Sequence, residues 1–337
     1  MTDAKRYKFL ERIDGKDNSN NSTTVWTAED SKSGNMIAIK RINLENKCIK
    51  DLEILRNEIA AVRSFKHPNI ICYYDAATVG NETWLSMPYY SYGSSVNLFA
   101  MDILPNQKEL LLMHVLRSVL NALIYLHELG YAHRDIKGKN ILISANGNVC
   151  LSGMDKATKK STFKQDWVAH EFIERAADSV VWAAPELLAQ DIHGYNCKVD
   201  IYSLGMTAVE LAYGRIPFDD MPVTQILLEK LNGISHARIH SFIQNTTDVV
   251  FSNSFYQLLD SCFKSDSDRW SAVQLATHPF FKRIKITNED ILQEFLHLAK
   301  PISEFKVSEA DIGIVSERRD SIDEDCGWQD EDCGWQF

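Results

Sequence analysis

One short stretch of the chain carries the kinds of side chain that phosphoryl transfer uses. Such transfer requires cradled phosphates, bound metal ions and an acceptor hydroxyl held in line, with little other covalent chemistry. The stretch supplies cations, a carboxylate and an amide, from His133, Arg134, Asp135, Lys137 and Asn140. Two short apolar runs, residues 142–143 and 149–151, follow it and predict two short strands. We therefore expect these polar residues to lie in a loop that precedes the two strands.

The order and spacing of these residues match the catalytic loop of protein kinases. The resemblance implies that Asp135 accepts the proton of the acceptor hydroxyl and that Asn140 holds a metal ion. Other parts of the family pattern follow at Ala184-Pro185-Glu186, at residues 200–205 and at Arg269, the usual ion-pair partner of Glu186. The resemblance implies an α+β, bilobal protein-kinase fold, with a small β-rich lobe and a larger, mostly helical lobe.

A second set of residues resembles the nucleotide site of kinases. Lys40 ends the apolar strand 36–40, and Glu58 lies on the next predicted helix, at the distance expected for their ion pair. Met87 occupies the gatekeeper position, and Pro88 offers a carbonyl but no N–H to an adenine ring. With Tyr90, Asn140 and Gly153, these residues form the expected nucleotide site. We expect ATP as the cofactor, and whether magnesium accompanies it stays open.

The chain departs from the kinase pattern at the metal and at the phosphates. Eighteen residues after Asp135, the metal-binding Asp-Phe-Gly triplet reads Gly153-Met154-Asp155, so the main magnesium carboxylate is missing. The glycine-rich loop falls at residues 15–24, which contain one glycine, and side chains there hinder a close backbone approach to phosphates. Losing one preorganised charge-stabilising group typically costs about 10²–10³ in rate. We therefore predict a catalytically impaired kinase fold.

The elements that position these residues can be read from apolar periodicity. Residues 7–90 predict a β-rich lobe with one helix at 51–65, whose apolar stripe is Leu52, Leu55, Ile59 and Val62, and with a strand pair at 70–75 and 83–89. Residues 91–285 predict a helical lobe that begins with a long apolar helix from about residue 108. We assign residues 1–285 to the kinase-like domain and 286–337 to a C-terminal extension, acidic and weakly periodic after about residue 302.

Composition excludes several classes of partner. The net charge of -10 repels nucleic acids and acidic membranes. The first eleven residues mix charges in a way unlike a signal peptide, and we expect no run long enough to span a membrane. The seven cysteines contain no Cys-x-x-Cys pair and suggest neither a disulfide framework nor a zinc site. We expect a cytoplasmic protein, with access to the nucleus left open.

Four runs indicate a particular branch within the protein kinases. They are residues 92–94, 130–134, 151–153 and, most specifically, 217–233. They are similar to the sterile-twenty branch of kinases and most of all to the STRAD pseudokinases, over residues 7–285. That family binds liver kinase B, a serine/threonine kinase, through the face on which a kinase docks its substrate. The resemblance implies the same class of partner here, with Asp135 retained but without catalytic use.

The C-terminus extends the resemblance. The run 324–329 recurs at 331–336, and the chain ends in Trp335-Gln336-Phe337, which is similar to the terminal Trp-Glu-Phe of the family. In that family the terminal motif inserts into a helical-repeat scaffold protein. The resemblance therefore implies a scaffold that holds Trp335 and Phe337, and Gln336 in place of glutamate removes one charge-assisted contact.

The residues leave three hypotheses open. The first is a pseudokinase that binds and activates another kinase, and the second is an active serine/threonine kinase whose metal ligand has moved, for example to Asp155. The second predicts phosphoryl transfer that disappears in Asp135→Ala. The third is an interaction scaffold with an empty cleft, which predicts no change of melting temperature with ATP.

Overall fold

The smaller lobe is one antiparallel sheet with a single long helix. The computed structural model describes residues 6–14, 23–101, 105–159, 169, 177–190, 194–233, 235–245, 251–285 and 296. The strands follow the order β1-β2-β3-β5-β4, and the helix connects β3 to β4. Their bounds are β1 Tyr7–Asp14, β2 Thr23–Asp30, β3 Met36–Asn43, α1 Ile49–Ser64, β4 Asp75–Val79 and β5 Glu82–Pro88.

The sheet is covered on both faces, which explains the unbroken apolar run of β3. Ala38 and Ile42 belong to the main core, whereas Ile37 and Ile39 join Tyr7 in a second cluster. A strand buried on both faces needs no alternation of apolar and polar residues. Lys40 is therefore the first partly exposed side chain after three buried ones.

Helix α1 begins with a capping box and packs through one side. The Cys48 thiol accepts a hydrogen bond from the Asp51 N–H, and the Asp51 carboxylate accepts one from the Cys48 N–H at 3.2 Å. Glu58 and Val62 are the buried residues of the helix. Leu52, predicted for the core, is 40% exposed, because it lies about 120° around the helix from Glu58.

The strand predicted at residues 70–75 is misplaced, since the structure has β4 at Asp75–Val79. Residues 70 and 71 contact the other lobe instead. Ile70 forms an isolated bridge with Leu151, and the Ile71 N–H donates to the Leu151 carbonyl at 2.9 Å. Because residues 70 and 71 pair with the backbone of the larger lobe, this apolar run does not join the sheet.

The larger lobe is mostly helical, and its long helices form its core. Its helices are α2 Ser95–Phe99, α3 Pro105–Glu128, α4 Pro185–Leu188, α5 Val199–Tyr213, α6 Val223–Leu231, α7 Ser235–Asn245, α8 Asn253–Phe263 and α9 Ala272–Ala276. Its short strands are β6 Tyr131–Ala132, β7 Ile141–Ile143, β8 Val149–Leu151 and β9 Thr158–Lys159, in the pairs β6-β9 and β7-β8. The predicted bilobal α+β architecture is confirmed.

Helix α3 corrects one expectation from the sequence. Its stretch Gln107–Glu128 is long and apolar enough to cross a membrane by length and composition, although we expected no such run. Inside the protein, 61% of the apolar window is buried, including Leu112, Leu116 and Leu120. A core helix surrounded by other elements is apolar on most sides and passes the same test.

Helix α5 is the central support of the larger lobe. Every residue from Val199 to Ala212 is buried. Its hydroxyls serve neighbouring segments, since Thr207 donates to the Ile136 carbonyl at 3.2 Å and Ser203 to the Trp182 carbonyl at 2.9 Å. The catalytic loop and the segment before α4 therefore both lie against α5.

Most of the predicted C-terminal extension lies outside the described residues. Leu296 is described and is buried, and its carbonyl accepts a hydrogen bond from the Tyr92 hydroxyl at 2.6 Å. At least this point of the extension therefore packs against the residues that follow β5.

Candidate functional site

Lys40 and Glu58 form the ion pair that the sequence predicted. The Lys40 Nζ lies 3.7 Å from Glu58 Oε1, with the lysine side chain 26% exposed and the glutamate 3%. The Tyr73 hydroxyl donates to the same Glu58 oxygen at 2.6 Å. Burial and the Glu58 carboxylate raise the pKa of Tyr73 well above its usual range, so the hydroxyl keeps its proton and remains a donor. Tyr73 thus makes the shorter contact to Glu58, and Lys40 stays accessible from the cleft.

Asp200, at the start of α5, supports the catalytic loop. Its carboxylate accepts backbone hydrogen bonds from His133 and Arg134, each at 2.8 Å, and lies 2.9 Å from the His127 Nε2. Burial alone would lower the pKa of His127, but Asp200 and Cys197 raise it to about 9. The loop is therefore positioned by a buried ion pair that connects α3 with α5.

Asp135, the predicted catalytic carboxylate, is surrounded by donors. Its Oδ1 accepts from the Ser179 hydroxyl at 2.5 Å and lies 3.1 Å from Lys137 Nζ and 3.2 Å from Lys156 Nζ. Its Oδ2 accepts from Asn140 Nδ2 at 2.7 Å. Burial would raise the pKa of Asp135, but the two lysines and the serine outweigh it and lower the pKa to about 2. A carboxylate so weakly basic is poorly matched to removing a proton near neutral pH.

The Asn140 side chain occupies the space that a side chain on residue 153 would need. The φ of Gly153 is +82°, and a Cβ on it would lie 2.5 Å from Asn140 Nδ2 and 2.7 Å from Asn140 Cγ. The Asn140 amide thus lies directly against Gly153. Among the described residues, no group of three or more His, Cys, Asp or Glu side chains could hold a metal ion. The residues present do not fit the magnesium site that the fold implies.

Met154 and Asp155 point in different directions. Met154 is 1% exposed and belongs to the main core, so it packs as the family phenylalanine would. Asp155 is exposed, and its charge contributes, after burial and Glu58, to the raised pKa of Tyr73. The charge of Asp155 therefore affects Tyr73, whereas Met154 packs into the core.

The segment that joins the lobes carries the remaining predicted nucleotide residues. Met87 is buried, and Pro88 pairs with Ile37 at the end of β5. The Tyr90 hydroxyl contacts the Cys150 thiol, which leaves the Tyr90 backbone to bond an adenine ring. The predicted glycine-poor loop lies mostly outside the described residues, as do Trp335, Gln336 and Phe337 at the C-terminus.

Side-chain contacts connect residues 182–186 to the rest of the larger lobe. The predicted pair of Arg269 and Glu186 is present, and Arg269 Nη2 lies 3.3 Å from the second carboxylate oxygen. The Trp182 indole donates to Glu210 Oε2 at 2.8 Å, and the same oxygen accepts the Gly138 N–H at 2.9 Å. Glu210 thus connects this segment to the catalytic loop.

Several residues of the site were missed by sequence reasoning. They are Tyr73, Lys156, Ser179, Glu210 and Lys230, none of which was given a role. Lys156 directly follows the Gly-Met-Asp motif, so its position could have indicated it. The others become neighbours only through the tertiary fold, and no local spacing could have identified them.

Comparisons with known proteins agree with this geometry. Residues 20–281 match the family described as Protein kinase domain. The chain is 33% identical over 325 residues to the human STE20-related kinase adapter protein alpha, covering 85% of this chain and 75% of that protein. The chicken alpha protein is 33% identical over 317 residues, covering 81% and 80% of the two chains. The human beta protein is 34% identical over 315 residues, covering 82% and 75%. The chain therefore has a protein kinase domain and belongs to the family of STE20-related kinase adapter proteins, the STRAD family.

Proposed function

We propose that this chain is a pseudokinase adaptor that binds a partner serine/threonine kinase of the liver kinase B type and activates it allosterically. A helical-repeat scaffold protein that holds Trp335, Gln336 and Phe337 completes the proposed complex, in the cytoplasm. The observation that carries the proposal is the contact of Asn140 with Gly153, where the metal carboxylate should lie, in a cleft that keeps the Lys40 and Glu58 pair. The names of the relatives, which call them kinase adapters, support the same class of function.

The state of Asp135 argues against efficient phosphoryl transfer. Two lysines and Ser179 surround one of its oxygens, and Asn140 donates to the other. These contacts are satisfied within the protein, so the carboxylate serves to hold neighbouring segments together. An acceptor hydroxyl would have to displace Ser179 from a 2.5 Å hydrogen bond before its proton could be removed.

The cleft nevertheless retains groups that suit a nucleotide. Lys40 is partly exposed beside Glu58 and can meet the phosphates, while the backbone of Pro88 and Tyr90 can meet the adenine. Bound ATP would supply a rigid bridge between the lobes and no chemistry. Because a ligand that rigidifies a protein lowers the entropy cost of the next association, ATP would favour binding of the partner.

Activation of the partner follows from a shift of populations. An adaptor that binds only the closed, active conformation of another kinase stabilises that conformation by its differential affinity. A tenfold gain in the active population corresponds to about 1.4 kcal/mol of that difference. The adaptor needs no catalytic activity for this effect.

Melting of the purified chain with ATP tests the nucleotide part of the proposal. We expect stabilisation of about 2.7 kcal/mol at a hundredfold excess over the dissociation constant, equally with magnesium and with chelator. Lys40→Met should abolish the shift, whereas Lys32→Met, at an exposed lysine of the same lobe, should not. No shift with ATP would favour the empty scaffold.

The active-kinase alternative draws on the retained Lys40 and Asp135. It requires a strictly magnesium-dependent shift and phosphoryl transfer that Asp135→Ala abolishes. We expect neither, because Asp155 acts on Tyr73 and the described residues contain no group of three or more His, Cys, Asp or Glu side chains that could hold a metal ion.

A further inference from the structure

Lys230, in the last turn of α6, is a completely buried lysine. It is 1% exposed and is among the largest fully buried side chains of the described residues. Lysine is almost never fully buried unless it is paired. Its Nζ donates to the Val181 carbonyl at 2.7 Å and to the Ala183 carbonyl at 2.6 Å, and it lies 4.8 Å from the centre of the Tyr202 ring. The role of this buried lysine therefore depends on the backbone segment that accepts its two hydrogen bonds.

The two carbonyls belong to residues 179–186, which we call the docking segment. This segment runs from Ser179 into the first turn of α4 and forms no strand. Its local hydrogen bonds run from the N–H groups of Trp182 and Ala183 to the Ser179 carbonyl, at 3.0 and 2.9 Å. Buried carbonyls need a partner, and Lys230 provides it for Val181 and Ala183. The conformation of the segment therefore depends on a side chain from another helix.

Side chains from three other parts of the lobe also contact the docking segment. Lys156 donates to the Ser179 hydroxyl at 2.7 Å, Ser203 to the Trp182 carbonyl, and Arg269 pairs with Glu186. Lys230 differs from them because it alone among these side chains bonds the Val181 and Ala183 carbonyls.

We infer that Lys230 is the positioning residue of the docking segment, whose conformation depends on the two hydrogen bonds from the Lys230 amine. The role of Lys230 is a property of the chain alone and does not rest on the proposed function. Its tests therefore contain neither nucleotide nor partner, and they can fail independently of the ATP experiment.

Hydrogen exchange of Lys230→Met tests the inference directly. We expect amides of the docking segment, such as those of Trp182 and Ala183, to exchange at least about tenfold faster than in the wild type. Amides of α5 should keep their protection, because methionine fills the buried volume. The control Lys264→Met, at an exposed lysine of the same lobe, should change neither. Wild-type exchange in the docking segment, or equal acceleration in α5, would overturn the positioning role.

A measurement on the wild-type chain keeps the inference testable if the variant does not fold. Acetic anhydride should label Lys230 at least about tenfold more slowly than Lys264, since the Lys230 amine is buried and donates to two carbonyls. Comparable labelling would contradict the buried contact.

Discussion

Gly153 and Asn140 determine what the cleft can bind. The Asn140 side-chain amide lies where a side chain on residue 153 would start. The left-handed backbone of Gly153 adds a second obstacle, because residues with a Cβ adopt positive φ at a cost. Restoring the missing carboxylate would therefore disturb Asn140, which also donates to Asp135. The packing of Asn140 against residue 153 therefore favours glycine over the metal-binding aspartate.

Gly153→Asp tests this packing. We expect it to lower the free energy of unfolding by about 2–4 kcal/mol, because positive φ costs about 1 kcal/mol and the contact with Asn140 adds to it. We also expect no magnesium-dependent phosphoryl transfer to appear. Urea denaturation and a transfer assay measure the two effects.

The matched control for this variant is Gly80→Asp. Gly80 also has positive φ, at +58°, but nothing lies within 4 Å of a Cβ placed on it. It should cost only about 1 kcal/mol, the strain of the backbone alone. Equal costs at both positions, or transfer activity in Gly153→Asp, would contradict the account of the site.

At the scale of elements, the catalytic loop depends on how α3 and α5 meet. His127 lies in the last turn of α3 and Asp200 in the first turn of α5, and both are buried or nearly so. Their contact fixes the distance between the two helices. The backbone N–H groups of His133 and Arg134 donate to the same Asp200 carboxylate. The loop is therefore sensitive to the charge of His127.

The pH dependence of stability should report this contact. The pKa of His127 is raised to about 9, so protonation stabilises the fold fully below pH 6.5 and this contribution is lost as the pH rises through 9. We expect a loss of about 3 kcal/mol over that window. The pKa of His133 is lowered by burial, so that histidine titrates below the window.

His127→Gln should be less stable than the wild type at pH 6 and should show a flatter pH dependence between pH 6.5 and 9. His240→Gln, at a half-exposed histidine, should keep the wild-type slope. Thermal melting across this range measures both. An unchanged slope in His127→Gln would mean that the ion pair does not carry the pH dependence.

Elements with strong periodicity were predictable from the sequence. The helix predicted at 51–65 is Ile49–Ser64, and the long apolar helix from about residue 108 is α3. The apolar run at residues 70–75 was misassigned, because its backbone partner, Leu151, lies in the other lobe and eighty residues further on. Local sequence patterns indicate secondary-structure propensity and burial, but they do not indicate which distant backbone segments pair.

The candidate site was predictable only where a motif spans few residues. Asp135, Asn140 and Gly153 follow from fixed spacing within the loop region, and the pair of Lys40 and Glu58 follows from a strand and the next helix. Lys230 lies inside the most specific family run, yet helical patterning would have placed a lysine in solvent. Its burial depends on the docking segment, which lies about fifty residues earlier in the sequence.

At the scale of the whole molecule, the two lobes are connected through structure that a catalytic kinase also uses. The Lys40 and Glu58 pair, the buried Met154 and the support from Asp200 are all present. Contacts of this kind matter for an adaptor, because the surface presented to a partner depends on how the lobes are held together. The central claim is that this surface, and no chemistry of its own, changes the activity of the partner.

The most direct test measures phosphoryl transfer to a peptide substrate by a liver kinase B type kinase, with and without this chain and the helical-repeat scaffold. The account predicts that the complete mixture increases transfer at least about tenfold, which corresponds to about 1.4 kcal/mol of differential binding. It also predicts no transfer when the partner carries a catalytically inactive substitution. Transfer that persists with the inactive partner, or no stimulation of the active one, would contradict it.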